Sequence, residues 1–429
     1  MARECFYLNS LELTNLWSSY NLKLTTNKDI NLFIGTNGSG KTTLLNLINY
    51  ILSVDIDNMN EIDFSSAKIT LANFSSSHKK RKTVKVEKNG RFNYIYKVGS
   101  TKYEINFSLL SDRVHMRPFR QSLIEIKKKI LEAININPIK NISVYRKMDK
   151  DSFNRFVGNG YKFGQYNDDD DNEFNPIDER IKKLLIDFAE YREALNYESN
   201  KISEEFKMEV LRALLRAPSR KNSDILRINY NKNDLNSALK NLGFNKKTDL
   251  SLGEEFVNSY EEFKSIVESN QGFAIDEIMK MPVYSVLDTA IELSKESDKR
   301  KHEINTPVFK FLEIANSFLG EGNFNKSISI VAGRLRIENK KQKDIEITKL
   351  SSGEKQLLIL LLETLLQKNT PQIYIIDEPE LSLHISWQRN IIKSILELNP
   401  NVQLIVATHS PEIVAYYKNK IINMESIIK

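Results

Sequence analysis

The sequence predicts an α/β fold: a parallel sheet with helices on both faces, an antiparallel β-meander beside it, and a helical insertion. Three observations predict it. A glycine-rich loop, Gly35 to Thr42, follows an apolar strand and opens a helix. Two continuous apolar runs, Ile373–Ile376 and Val402–Ala407, flank a helical stretch from about Ser386 to Leu398. Such runs alternating with helices belong to strands buried on both faces. Between these ends lies a long block whose apolar residues recur every three or four positions.

Taken in order, residues 5–34 read as strands. Phe6, Leu8, Leu11, Leu13, Leu22 and Leu24 nearly alternate, and Ile30–Ile34 leads into the glycine loop. Leu44, Leu45, Leu47, Ile48 and Ile51 then predict a helix over Thr42 to Leu52 that packs on a sheet. Residues 67–108 read as the meander, with Asn89-Gly90 as a hairpin turn and Gly99-Ser100 as a second turn. Gln121 to Ile134 reads as a helix and Asn141 to Tyr145 as a short strand. Residues 150–175, rich in Gly, Asn and Asp, read as a boundary loop. Residues 177–216 and about 250–300 read as helices, the latter interrupted at Pro282. Residues 326–338 read as strands turning at Gly333, and Gly353 to Leu366 as an apolar helix. The organisation expected is residues 1–150 and 306–429 as two lobes of one domain, with 151–305 inserted between them.

Composition narrows the classes. The chain has 429 residues, 41% of them hydrophobic, enough for a large core. No stretch approaches the ~18 uninterrupted apolar residues of a membrane span, and the N-terminus lacks the apolar run of a signal peptide. Cys5 is the single cysteine, which excludes an intramolecular disulfide and a cysteine-based zinc site. A cytoplasmic location is expected. The net charge of +6 permits nucleic-acid contact without arguing for it. Lys79-Lys80-Arg81-Lys82 is the best basic run, and Asp168–Asp171 reads as a hydrated acidic loop.

The glycine loop Gly35-Thr36-Asn37-Gly38-Ser39-Gly40-Lys41-Thr42 fits the phosphate-loop pattern. Backbone N–H groups and a helix N-terminus attract phosphate oxygens there. Gly38 and Gly40 let the backbone come close, Lys41 neutralises phosphate charge, Thr42 offers a hydroxyl to Mg²⁺, and Thr43 adds a further N–H. Asp377 and Glu378 end an apolar strand, which places both carboxylates at the sheet edge where α/β folds bind ligands. Leu350-Ser351-Ser352-Gly353-Glu354 opens a helix, and Thr408-His409-Ser410-Pro411 follows the strand Val402–Ala407.

This set, in this order, resembles the ABC-type ATPases, in the branch containing RecF, the SMC-like repair ATPases and phage-defence ATPases. The resemblance is concentrated in residues 1–55 and 345–415. It implies an ABC-type ATPase head, with ATP and Mg²⁺ as ligands. Asp377 resembles the Mg²⁺-holding aspartate, Glu378 the general base that polarises the attacking water, and His409 the switch histidine that senses the γ-phosphate. Ser351, Ser352 and Gly353 resemble the signature that contacts ATP held by a second head, so a homodimer or larger homo-oligomer is implied. Ser352 stands where the usual signature has glycine, and His384 stands where transporter motors carry aspartate; the Glu-Leu-x-Leu-His form favours the RecF-like and defence branch. The glutamine that completes the family's Mg²⁺ shell has no counterpart in Asn141–Arg146.

No nuclease domain is expected on this chain, so any nuclease effector is a separate protein. The architecture resembles the ATPase subunits of two-component phage-defence systems such as PARIS and Septu. The competing expectation is a RecF-like repair ATPase that clamps DNA.

Overall fold

The computed structural model describes residues 5–74, 80–90, 93–106, 116–137, 139–141, 175–215, 232–244, 255, 258–262, 265, 275–320, 326–341 and 344–427. Alternating burial in β1 (Phe6–Leu16), β2 (Tyr20–Thr25), β4 (Ser66–Asn73), β5 (Arg81–Lys88), β6 (Asn93–Val98) and β7 (Thr101–Asn106) makes a six-stranded antiparallel sheet, ordered β2-β1-β4-β5-β6-β7. β3 (Ile30–Ile34) leaves that sheet. It joins a five-stranded parallel sheet ordered β13-β3-β12-β11-β8, with β8 at Lys140–Asn141, β11 at Gln372–Asp377, β12 at Val402–Ala407 and β13 at Ile421–Asn423.

The helix α1 (Lys41–Ser53) is apolar on most of its circumference, and Leu44, Leu45, Leu47, Ile48 and Ile51 are fully buried. A helix of that kind needs cover on several sides. α1 shares one core with Leu11, Ile69, Val84 and Tyr96 of the antiparallel sheet and with Ile373, Ile375 and Ile405 of the parallel sheet. Gln403 ties the two sheets together. Buried in β12, it accepts from Leu8 N–H at 2.7 Å and donates to Leu8 O at 2.8 Å and Asn27 O at 2.7 Å. A buried amide satisfied on both ends rigidifies rather than destabilises.

The hairpin expected at Asn89-Gly90 joins β5 and β6, and the turn at Gly99, with φ +61°, joins β6 and β7. The short helix α2 (Ile56–Asn60) and α3 (Met116–Ile134) complete the N-terminal part. The strand expected at 141–145 is seen as Lys140–Asn141, paired with β11. Its remainder lies outside the described residues, as do Lys79, the acidic run 168–171 and nearly all of the boundary loop. Lys82 is not a free cation. Its Nζ donates to Ala133 O and Ile134 O at 3.2 and 2.8 Å, capping α3, and lies 5.0 Å from the Phe6 ring centroid.

Two compact units emerge, residues 1–188 with 310–429, and residues 189–309. The long helices α4 (Pro176–Leu215) and α6 (Ile275–Leu319) contribute to both. In the second unit, α5 (Lys232–Leu242) is fastened to α6 by Asn241 donating to Ser294 Oγ and Asp298 Oδ1 and by the Lys295–Asp234 ion pair. The interruption expected at Pro282 does not occur, and α6 also runs through Pro307. An interior proline costs about 3 kcal/mol. A helix of 45 residues that buries Val308, Phe311, Ala315 and Phe318 offsets it. Just before Pro307, Asn305 and Thr306 donate side-chain hydrogen bonds to Lys301 O and His302 O. The hairpin β9 (Ser327–Val331) and β10 (Arg334–Glu338) turns at Gly333, as expected. It is followed by α7 (Ser352–Leu365), then α8 (Ile385–Leu398) after β11, α9 (Pro411–Val414) after β12, and α10 (Met424–Ile427) at the end. Among the described residues, no helix is long and apolar enough to cross a membrane.

Candidate active site

The phosphate loop spans the gap between β3 and α1. Gly38 and Gly40 have φ of +82° and +86°, the left-handed region that favours glycine. Gly40 is the N-cap of α1, which has neither a side-chain cap nor an acidic residue in its first turn. That helix end therefore presents bare N–H groups and positive dipole charge. Lys41 is buried. Its Nζ donates to Gly35 O at 3.0 Å, Thr36 O at 3.1 Å and Ser39 Oγ at 3.4 Å. Burial lowers its pKa, opposed by the carboxylates of Glu378, Asp377 and Glu380.

Two neighbours of this loop escaped sequence reasoning. A Cβ on Gly40 would lie 2.0 Å from Cη2 of Trp17, so the indole packs directly on the loop backbone. Trp17 is itself held at φ +52°, its N–H donating to Asp63 O at 2.9 Å. On the other side, Thr36 Oγ1 donates to Glu425 Oε1 at 3.1 Å, and a Cβ on Gly35 would stand 3.2 Å from Cβ of buried Met424. An aromatic in a tight β1–β2 turn was the available signal for Trp17. Nothing local marks Glu425.

Asp377, at the end of β11, meets the start of α1: Thr42 Oγ1 donates to Asp377 Oδ2 at 2.8 Å. Its Oδ1 is buried and accepts no hydrogen bond among the described residues. Burial raises the Asp377 pKa; the Thr42 hydrogen bond opposes this and the neighbouring Glu378 and Glu380 add to it. Glu378 follows at φ +50°, rare for a side-chain-bearing residue, with its N–H donating to Ala407 O at 2.8 Å.

His409 follows β12. It is exposed, and its backbone N–H donates to Glu380 Oε1 at 2.6 Å, joined by Ser410 N–H at 3.1 Å. Ser410 Oγ donates to Gln388 Oε1 at 2.7 Å, and Gln388 Nε2 donates to Leu383 O at 3.0 Å. Glu380 and Gln388, both unassigned by the sequence reading, thus lock the segment after β11 to the segment after β12. Phosphate loop, Asp377, Glu378 and His409 accordingly meet at one end of the parallel sheet.

The segment Ser351 to Gly353, expected as the signature, is held by contacts of its own. Ser351 caps α7 in a reciprocal pair with Glu354, whose carboxylate also holds Lys326 at 2.7 and 2.8 Å. A Cβ on Gly353 would come within 2.2 Å of Ser382 O, so this glycine is required for close packing within its own chain. Ser351 and Ser352 are exposed. Among the described residues, no hydrogen bond or ion pair links them to the phosphate loop. His384 caps α8, its Nδ1 accepting from Ser386 N–H at 3.3 Å.

A parallel sheet that carries a phosphate loop on its N-terminal strand and the Asp-Glu pair two strands away, coupled to an antiparallel sheet, defines an ABC-type ATPase head. Residues 30–415 match the family described as "AAA domain, putative AbiEii toxin, Type IV TA system", and the chain belongs to that family of ATPases. Retron Ec83 probable ATPase from Escherichia coli is 39% identical over 88 residues, 18% of this chain and 16% of that protein. Retron Vc95 probable ATPase from Vibrio cholerae serotype O1 biovar El Tor is 38% identical over 79 residues, 16% of this chain and 15% of that protein. The matched stretches are thus about a sixth of these relatives' lengths. Among solved structures, the Smc head domain with an extended coiled coil bound to the C-terminal domain of ScpA, from Pyrococcus furiosus, is 18% identical with a TM-score of 0.45, covering 97% of this chain and 93% of that one.

Membership of this family implies nucleotide binding and typically Mg²⁺. The residues present fit that ion: a hydroxyl and a carboxylate with an unused buried oxygen form a small hard-oxygen set. Among the described residues there is no cage of three or more His, Cys, Asp or Glu side chains. Mg²⁺ commonly takes one or two carboxylates and fills the remaining positions with phosphate oxygens and water.

The raised pKa of Asp377 carries a testable sign. A carboxyl that holds its proton more tightly when folded loses stability as pH rises from its unfolded pKa through its folded one. Asp377 therefore destabilises the nucleotide-free fold above a window that opens near the ordinary value of 3.8. Asp377→Asn is expected to raise the melting temperature at pH 7, with the difference closing towards pH 4. Thermal unfolding across that range checks it; a variant less stable at pH 7 would refute the burial argument.

Proposed function

We propose that this chain binds and hydrolyses Mg²⁺·ATP between two copies of its head, and that in an anti-phage defence complex it controls a separate nuclease effector. The observation that carries the ATP reading is the unused buried oxygen of Asp377, fixed by Thr42 beside Lys41 and an uncapped helix N-terminus. One end of the sheet thereby offers charge for an anion and oxygens for a cation. In this reading residues 1–150 and 306–429 are the two lobes of the head, and 151–305 is the assembly region.

Lys41 exchanges its loop carbonyls for phosphate oxygens when nucleotide enters. Gly35 to Thr43 wrap the phosphates, with the Trp17 indole packed against Gly40 beside them. Thr42 and Asp377 would hold Mg²⁺, which when bound would supply positive charge against the phosphates. Glu378 orients a water and takes its proton as the terminal phosphate departs. Glu380 ties the backbone of His409 to the segment that carries Glu378, so loss of the terminal phosphate is transmitted to both. Ser351, Ser352 and Gly353 complete the site of the second copy, a role supported by the exposure of both serines and by the absence, among the described residues, of a hydrogen bond or ion pair from them to their own phosphate loop. The defence role is supported by the retron ATPases among the relatives, in the manner of two-component systems such as PARIS and Septu.

Lys41→Ala is expected to abolish nucleotide binding, read as loss of ATP-induced quenching of tryptophan fluorescence; retained affinity refutes the phosphate-loop role. Purification from cells carrying the native neighbouring genes is expected to yield a homo-oligomer with a stoichiometric nuclease. A monomer without partners overturns the complex.

A further inference from the structure

The antiparallel sheet has one face in the core and one in water, and the water face is ordered. The pairing registers place Lys23 opposite Glu12, Glu12 opposite Lys68, Lys68 opposite Lys85, Lys85 opposite Lys97, and Lys97 opposite Lys102. A single row perpendicular to the strands thus crosses all six with five lysines and one glutamate. At the usual strand spacing it is about 24 Å long. All five lysine side chains are exposed, from 41% at Lys85 to 79% at Lys23.

Like charges placed directly opposite one another weaken a sheet, and this row contains three consecutive Lys–Lys pairs. Glu12, Glu87 and Glu104 relieve them: Glu12 lies 3.0 Å from Lys23 and 3.2 Å from Lys68, and Glu87 2.6 Å from Lys85 and 3.4 Å from Lys97. Three carboxylates against five ammonium groups leave the row net positive. Two residues along on the same face runs a second row of hydroxyls, Thr25, Ser10, Thr70 and Thr83, in mutual register. Lysines with flanking hydroxyls are the donors that take phosphate oxygens without reading bases.

We infer that this face binds the phosphate backbone of double-stranded nucleic acid, independently of sequence, with the lysine row replacing its glutamate partners by phosphates. Charge complementarity selects a polyanion. The choice of duplex rests on the absence of aromatics from the lysine row and the rows on either side of it: the outward residues there on β5 and β6 are Thr83, Lys85, Glu87, Ile95 and Lys97, Tyr94 and Tyr96 are buried in the core, and Tyr7, on the same face opposite Ala72, lies two rows beyond the lysines with its ring edge-on to Phe74. Single strands are held by stacking on exposed rings, which these positions lack. A row of this length covers about seven base pairs of one backbone. The site is distinct from the phosphate loop and does not depend on the ATPase reading.

The test is binding of the full-length chain to a fluorescent duplex of random sequence, about 20 base pairs long, over a salt series. The native protein is expected to bind with a steep negative dependence on salt. Lys68→Gln, Lys85→Gln and Lys97→Gln combined should weaken binding at least tenfold at ~0.1 M salt and reduce the log–log salt slope by about 3. ATP turnover should not change, because no described contact joins these side chains to the active site, and the melting temperature should not fall, because the exposed ion pairs lost contribute little and three opposed Lys–Lys pairs are relieved. Glu87→Gln, which releases Lys85 and Lys97, should tighten binding. Native affinity and slope in the triple variant, no duplex binding by the native chain, or tighter binding to a single strand of equal length would each overturn the inference.

Discussion

Glu378→Gln is expected to slow ATP turnover by about 10²- to 10⁴-fold, the usual contribution of a positioned base, while nucleotide still binds. The amide keeps the shape of the side chain but takes no proton from water. It also removes a negative charge next to the phosphates, so ATP should be retained longer. The left-handed backbone at this position, φ +50°, costs on the order of 1–3 kcal/mol and is tolerated equally badly by Gln and Glu. The variant should therefore fold as the native chain does, which isolates the chemical defect. Phosphate release gives the rate, and ATP retained after rapid gel filtration gives the trapped state. Turnover within threefold of native would show that Glu378 is not the base.

The second large effect lies away from the nucleotide. Arg180, in the first turns of α4, forms an ion pair with Glu363 of α7, and their side chains are 6% and 2% exposed. Lys355, two turns earlier on α7, pairs with Asp178 at 2.6 Å. Removing one member of a buried pair leaves an uncompensated charge, typically at a cost of 3–5 kcal/mol, whereas replacing both with apolar residues is often neutral or better. Glu363→Leu is accordingly expected to lose about 3–5 kcal/mol, and Arg180→Met with Glu363→Leu to recover most of it. Denaturant unfolding of the three variants provides the comparison. A double variant no better than Glu363→Leu would show that the ion pair is not what the site requires. Because α7 starts at Ser352 with Ser351 as its N-cap, residues that the proposed function assigns to the site of the second copy, the single variant should also reduce turnover.

The parts of the site that could be read in advance are those whose chemistry lies within a few consecutive residues. The phosphate loop, Asp377-Glu378 and Thr408-His409 each pair a strand end with a local motif, and strands with continuous apolar runs are unmistakable. What stayed hidden depends on residues far apart in the chain. Gln403 looks like a stray polar residue in a buried strand until Leu8 and Asn27 supply its partners. Gly353 also has a reason to be glycine within its own chain, the approach of Ser382 O, which nothing in the local sequence announces. Trp17 and Glu425 border the phosphate loop from opposite ends of the sequence. Pro282 misled in the other direction: local propensity predicted a break, and the packing of a long helix overrode it. The lysine row is the extreme case: Lys97 and Lys102 flank a turn legible in the sequence, but the other members are aligned only by the register of strands far apart in the chain.

The pairing of β3 has a consequence for how the chain is made. Among the described residues, the strand that carries the phosphate loop finds its partners in β12 and β13, which are translated long after it. The antiparallel strands around it are neighbours in sequence and can close early. Throughout the synthesis of everything between, β3 is an apolar ribbon with both edges bare, a template for mispairing. The nucleotide site is thus seated last, after the C-terminal strands emerge. A chain that stops before β12 lacks the strands on which the phosphate loop is seated and leaves both edges of an apolar strand exposed.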